Sequence, residues 1–192
     1  FSAGHLPRFL AAGLRYQWTR KERVDDVRQW GDFAASFIAG RDAGEIHRTA
    51  AWIYEGLVAQ FVDARVVAIA RSHLDRGEEV WLASATPQGM ADLMAKRLGF
   101  TGGLGSPTEV AEGRYTGRMT GPILHGPAKA DAVATLARQR GIDLSQSHAY
   151  SDSIHDLPLL SSVGHPHVVR PSRALRRHAI RKGWPVHESP GW

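Results

Sequence analysis

Cysteine is absent from the 192 residues, which excludes disulfides and thiolate-bound metals. That absence suits a reducing compartment, and a cytoplasmic setting is the expectation. No apolar run approaches the ~18 residues of a membrane-spanning helix, so no membrane role is expected. The opening stretch FSAGHLPRFLAAGL lacks the charged start and continuous apolar run of a secretory signal. Internal repeats and low-complexity tracts are also missing. What remains is an ordinary globular composition, 43% hydrophobic, long enough for one core with a small accessory domain.

The net charge is +5. Much of the excess lies in RPSRALRRHAIRKGW, which carries Arg170, Arg173, Arg176, Arg177, Arg181 and Lys182. Leu175, His178 and Ala179 can form the inward stripe of a helix there, so the arginines read as its solvated face. No aromatic residues interleave the run as a base-stacking platform requires, which argues against nucleic acid. A small anionic substrate suits such a surface equally well.

Two grammars divide the chain. Residues 1–76 read as helix throughout, with Trp30, Phe33, Ala34, Phe37 and Ile38 at helical spacing and Gly40, Gly44 and Gly77 as punctuation. After Gly77, short apolar segments alternate with helices. VWLA is a strand, and Thr86 and Pro87 are placed to cap the helix of Met90, Leu93, Met94 and Leu98. Residues 104–120 form a hairpin around AEG, and GPAKADAVATLARQRG a second helix. SHAYSD, HVVR and WPVHE are further strands. The alternation predicts an α/β fold with a parallel sheet covered by helices.

Ligands of open α/β sheets sit beyond the carboxyl ends of strands. Ser84 follows VWLA, and Asp152 follows HAYS, with Asp156 four residues on. Lys129 falls in the first turn of a helix, where its charge opposes the helix dipole. Each has a plainer reading as a cap or a solvated charge. Taken together, two carboxylates suit a hard cation such as Mg²⁺, while a lysine and a hydroxyl can hold phosphate oxygens. His125, His165 and His167 lack metal-ligand spacing.

In this order VWLASATPQGMADLMAKRLGF, GRYTGRMTGP, GPAKADAV, AYSDSIHDLPLL, VGHPHVVRPSRALRR and KGWPV resemble the phosphoserine-phosphatase-like branch of the haloacid dehalogenase-like superfamily. That resemblance implies a Rossmann-like core over residues 77–192 and an all-helical cap over residues 1–76. It also implies a Mg²⁺-dependent phosphomonoester hydrolase acting on a small phosphorylated substrate. Ser84 would bond the transferring phosphoryl group, Lys129 would neutralise it, Asp152 would bind Mg²⁺, and Asp156 would support the metal or its waters. The family's first motif, Asp-x-Asp, supplies the nucleophile and the general acid–base, and it occurs nowhere in the sequence. Asp25 and Asp26 are adjacent and cannot replace it. The expectation is that this motif and its strand precede Phe1, and that the chain alone is inactive. The alternative is an inactive domain of the same fold that binds a phosphorylated ligand or a protein partner. Arg170 departs from the asparagine that relatives often carry in VVRP. Without the first strand, the strands ending at Ser84 and Asp152 should either pair directly or stay apart.

Overall fold

The computed structural model describes residue 36 and residues 38–188. The aromatic positions Trp30, Phe33 and Phe37, and the pair Asp25–Asp26, lie outside them. From residue 43 to residue 75 the chain is helical, as its periodicity predicts, apart from the extended Val62 and Asp63. α1 spans Ala43–Ile53, capped by the Asp42 carboxylate, which accepts from Glu45 N–H at 2.9 Å. A π-turn and a 3₁₀ turn follow, and α2 runs Ala64–Asp75 from its Asp63 cap. Gly77, at φ 79°, releases the chain from α2. One difference appears at residue 42: Asp42 makes an isolated antiparallel bridge to Arg114, outside the main ladders. Gly44 sits inside α1 rather than breaking it.

β1 (Trp81–Pro87) leads into α3 (Gln88–Leu98), which ends at Gly99 in the left-handed region. β1 is longer than the sequence suggests. It carries Thr86 within the strand, so Thr86 is not a helix cap; Pro87 holds that position. β2 (Gly102–Ser106) then pairs parallel to β1, with Trp81 opposite Gly102 and Pro87 opposite Ser106. Residues 104–106 therefore belong to this strand and not to the hairpin, although GGLGS has none of the branched or aromatic residues of a strand. Its glycines serve contact: a Cβ on Gly103 would lie 2.3 Å from the Ala91 carbonyl carbon, and one on Gly105 2.6 Å from Gln88 Cα. Without side chains, β2 lets α3 lie against its backbone. Gln88 fastens the contact by accepting from Gly105 N–H at 2.8 Å.

The hairpin is confined to β3 (Thr108–Ala111) and β4 (Arg114–Met119), turning through Glu112 and Gly113 at positive φ. α4 covers Pro127–Arg140, and β5 covers His148–Ser151. A 3₁₀ turn, Ile154–Asp156, precedes the short α5, Leu157–Leu160. β6 (His165–Val169), α6 (Arg173–Lys182) and β7 (Val186–His187) complete the described chain. β5, β6 and β7 form one parallel ladder with β6 in the middle. Ala149, Val168 and Val186 face Leu160, Leu175 and Ala179, which makes one core. Leu175 and Ala179 are fully buried while Arg173, Arg176 and Arg177 are exposed, the amphipathic division that the helix spacing predicts. A second core joins Ala50 and Tyr54 to Leu93.

Among the described strands, β1–β2 and β5–β6–β7 are separate ladders. β1 and β5 do not pair, so of the two outcomes expected without the first strand, direct pairing is ruled out.

Candidate active site

β1 delivers Ser84 near its end. The Ser84 Oγ accepts from Thr86 N–H at 3.2 Å, a local turn that leaves the hydroxyl proton available to donate. Just beyond, Ser106 Oγ donates to the Ala85 carbonyl at 2.8 Å and accepts from Leu124 N–H at 3.0 Å. One hydroxyl thereby ties the end of β1 to the loop that enters α4. That loop turns at Gly126, φ 56°, and Pro127 occupies the first helical turn, where its missing N–H is harmless. Lys129 follows, 9% exposed.

The unfavourable dipole position of Lys129 has a partner. Its Nζ lies 2.7 Å from Asp156 Oδ1, and Asp156 is also 9% exposed. The other oxygen, Oδ2, accepts from Ser151 Oγ at 2.7 Å. Ser151 Oγ in turn accepts from Ser153 N–H at 3.1 Å, and Ser153 caps the following turn through His155 N–H at 3.2 Å. Both carboxylate oxygens of Asp156 are therefore committed inside the protein. Such a pair is maintained by geometry, since removing either member strands a buried charge.

Asp152 is placed differently. Its backbone carbonyl accepts from Ser172 N–H at 3.0 Å, which fixes the strand exit against the start of α6. Its side chain is exposed and forms no hydrogen bond or ion pair among the described residues. The two acids thus have separate situations, one locked to a lysine and one open. His155 packs its ring 4.8 Å from that of His125 rather than standing in solvent. Arg170, at φ 45°, reaches Asp63 at the start of α2, with 3.6 Å between charged atoms.

Lys129 and Asp156 are in direct contact, and Asp152 precedes Asp156 by four residues in the chain. Ser84 makes no hydrogen bond to this group among the described residues; its Oγ bonds Thr86 N–H. Ser151 and Ser106 complete the arrangement, and spacing around the acids does not mark Ser106. Ser106's partners, Ala85 and Leu124, lie on other elements, which no local spacing reveals.

The donor set fits a hard cation. An unpaired carboxylate with no sulfur nearby suits Mg²⁺, which keeps several waters and needs few protein ligands. Among the described residues, no three His, Asp or Glu side chains converge on one point. Asp152 would therefore hold the ion alongside water, backbone or substrate oxygens.

A family model described as haloacid dehalogenase-like hydrolase matches residues 3–161. The chain belongs to that family. Among haloacid dehalogenase-like relatives, phosphoserine phosphatase SerB1 of Mycobacterium tuberculosis is 39% identical over 180 residues, covering 94% of this chain and 58% of that protein. A probable phosphatase from the same organism is 35% identical over 162 residues, covering 84% of this chain and 56% of its own length. The chain thus spans somewhat over half the length of these relatives. A crystal structure of a protein of unknown function from Bordetella pertussis Tohama I superposes with TM-score 0.82 at 26% identity, covering 97% of this chain and 84% of that one. An apo phosphoserine phosphatase superposes at TM-score 0.58 with 15% identity, a likeness of fold. The family fold, a haloacid dehalogenase-like α/β core, is the one that the ordered motifs imply.

Proposed function

We propose that this chain forms the greater part of a Mg²⁺-dependent phosphomonoester hydrolase. The carrying observation is the buried Lys129–Asp156 pair beside the open Asp152 carboxylate. A positive charge held off water and aimed by a carboxylate is suited to phosphate oxygens, where charge neutralisation does most of the work. Asp156 acts here on Lys129 and, at most, on the waters of a metal. Ser84 would donate its proton to a non-bridging phosphate oxygen. Bound at Asp152, Mg²⁺ would supply positive charge to the phosphate and help to orient it. Relatives named as phosphatases support the reading.

The attacking group is proposed to be an aspartate from a segment outside this sequence, because no Asp-x-Asp occurs in it. That carboxylate would bond to phosphorus as the substrate oxygen leaves with a proton from the second aspartate of the same motif. Water, giving its proton back to that aspartate, would then cleave the acyl-phosphate to free phosphate. The separation of β1 from β5 is compatible with a strand lying between them. Residues 1–76 are proposed as a helical cap, whose closure over the strand ends would exclude water. Asp63–Arg170 gives such a cap one contact with the site rim.

The test is hydrolysis of a small phosphomonoester by the longer protein containing this chain, with and without Mg²⁺. Activity should require Mg²⁺, and Asp152→Asn should lower kcat by about 10²-fold or more. Residues 1–192 alone should be inactive. If the longer protein has no Asp-x-Asp and no turnover yet binds phosphate, the inactive binding domain becomes the better reading.

A further inference from the structure

Half of the chain's ten histidines gather away from this site. They sit on the face of the β5–β6–β7 ladder opposite the Val168 core. His148 on β5, His165 and His167 on β6 and His187 on β7 share that face with Tyr150, and α2 brings His73 against it.

The rings meet nitrogen to nitrogen. His148 Nδ1 is 3.0 Å from His167 Nε2, and His167 Nδ1 is 3.2 Å from His187 Nε2. His148 and His167 are nearly coplanar, with 13° between planes and centroids 5.2 Å apart, which is the geometry of an in-plane hydrogen bond. Tyr150 stacks on His167 at 4.5 Å, and His165 on His148 at 4.6 Å. His73 Nε2 meets the Tyr150 hydroxyl at 2.9 Å, while its Nδ1 meets Glu78. Arg76 closes that end by bonding Glu78 and His73. The nitrogens face one another in pairs rather than converging, so the arrangement handles protons and not a metal.

Counting protons sets its limit. Each facing pair of nitrogens holds one proton, and the two outer nitrogens, His148 Nε2 and His187 Nδ1, can each hold one more. Three neutral rings carry three protons, so one can be added without breaking a bond. A second added proton must set N–H against N–H. We propose that His148, His167 and His187 form a pH-sensitive clasp across the β5–β6–β7 ladder, closed while it holds one extra proton or none and opened by a second. The surrounding groups are unfavourable to that second charge. His73 from α2, Arg76 at the end of that helix and His165 from β6 disfavour that charge at His148, and Glu78 opposes them. Burial and these neighbours hold both His148 and His167 below the usual histidine range.

The clasp stands apart from the proposed chemistry, and its consequence reaches it. β5 runs from His148 into Ser151 and Asp152, and β6 runs from His167 to Arg170. Opening the ladder would release the support of Asp156 and the anchoring of Asp152.

The test is amide hydrogen exchange of residues 1–192 together with ¹⁵N shifts of the imidazole nitrogens. Protection factors in β5 and β6 should fall by about 10-fold or more from about pH 7.5 to about pH 4.5, while those of β1 and α3 hold. His167→Gln should remove most of the difference. Should that variant fold poorly, the wild-type imidazole titration decides. Coupled steps, with one proton entering well before the next, support the clasp. Three independent titrations near the ordinary value of ~6.5, with unchanged protection, overturn it.

Discussion

Lys129 would be a costly residue at a helix start if it stood alone, buried and facing the positive end of the dipole. Asp156 removes both objections, and the cost of parting them follows. Lys129→Met and Asp156→Asn should each destabilise by about 3–5 kcal/mol, because each strands one charge. The double variant should lose clearly less than their sum, as urea unfolding will measure; strict additivity would mean that the pair is not coupled. A second residue-scale outcome concerns His167, whose pKa is lowered to about 4, by burial first and then by His148 and His187. The unfolded ring titrates near ~6.5, so between these values the unfolded chain binds more protons. Stability from the neutral ring is therefore full above about pH 6.5 and lost as pH falls toward about 4. Melting temperature should drop across that window, and His167→Gln should flatten the slope. At this scale the sequence was partly legible. Asp152, Asp156 and Lys129 stand out because strand ends and helix starts give a side chain's type a meaning. Ser106 and the imidazole chain do not, since their partners arrive from distant elements.

Elements were legible where side chains carry the pattern. α6 buries Leu175 and Ala179 as its spacing predicts, and β5 and β6 lie where the sequence places strands, whereas α3 buries Ala91 and Ala95 more deeply than Met90, Met94 and Leu98. β2 was not legible, because its contribution is the absence of side chains. Gly103→Ala should therefore destabilise by about 3 kcal/mol or more, as its methyl meets the Ala91 backbone. Gly56 offers the contrast, lying in the π-turn with nothing within 4 Å of an added Cβ. Gly56→Ala should be neutral or stabilise by about 0.4–1 kcal/mol, through fewer unfolded conformations. Thermal melts of the two variants should move in opposite directions.

For the whole molecule, alternating strands and helices pointed to the parallel α/β core, and the ordered motifs pointed to the family. Of the two outcomes left open by the missing Asp-x-Asp, direct pairing or separation, the described strands show separation. That division has a kinetic side. β1 and β2 are joined across α3 alone, and β5, β6 and β7 follow one another in sequence. Each ladder can close through short loops before the other exists, and no described strand pairing forces a long one. Refolding should then begin from two independent nuclei. Pulse-labelled exchange should find β1–β2 with α3, and β5–β7 with α6, gaining protection as separate units. A single concerted step for both would mean that helix packing between the ladders, rather than either ladder, sets the order of assembly.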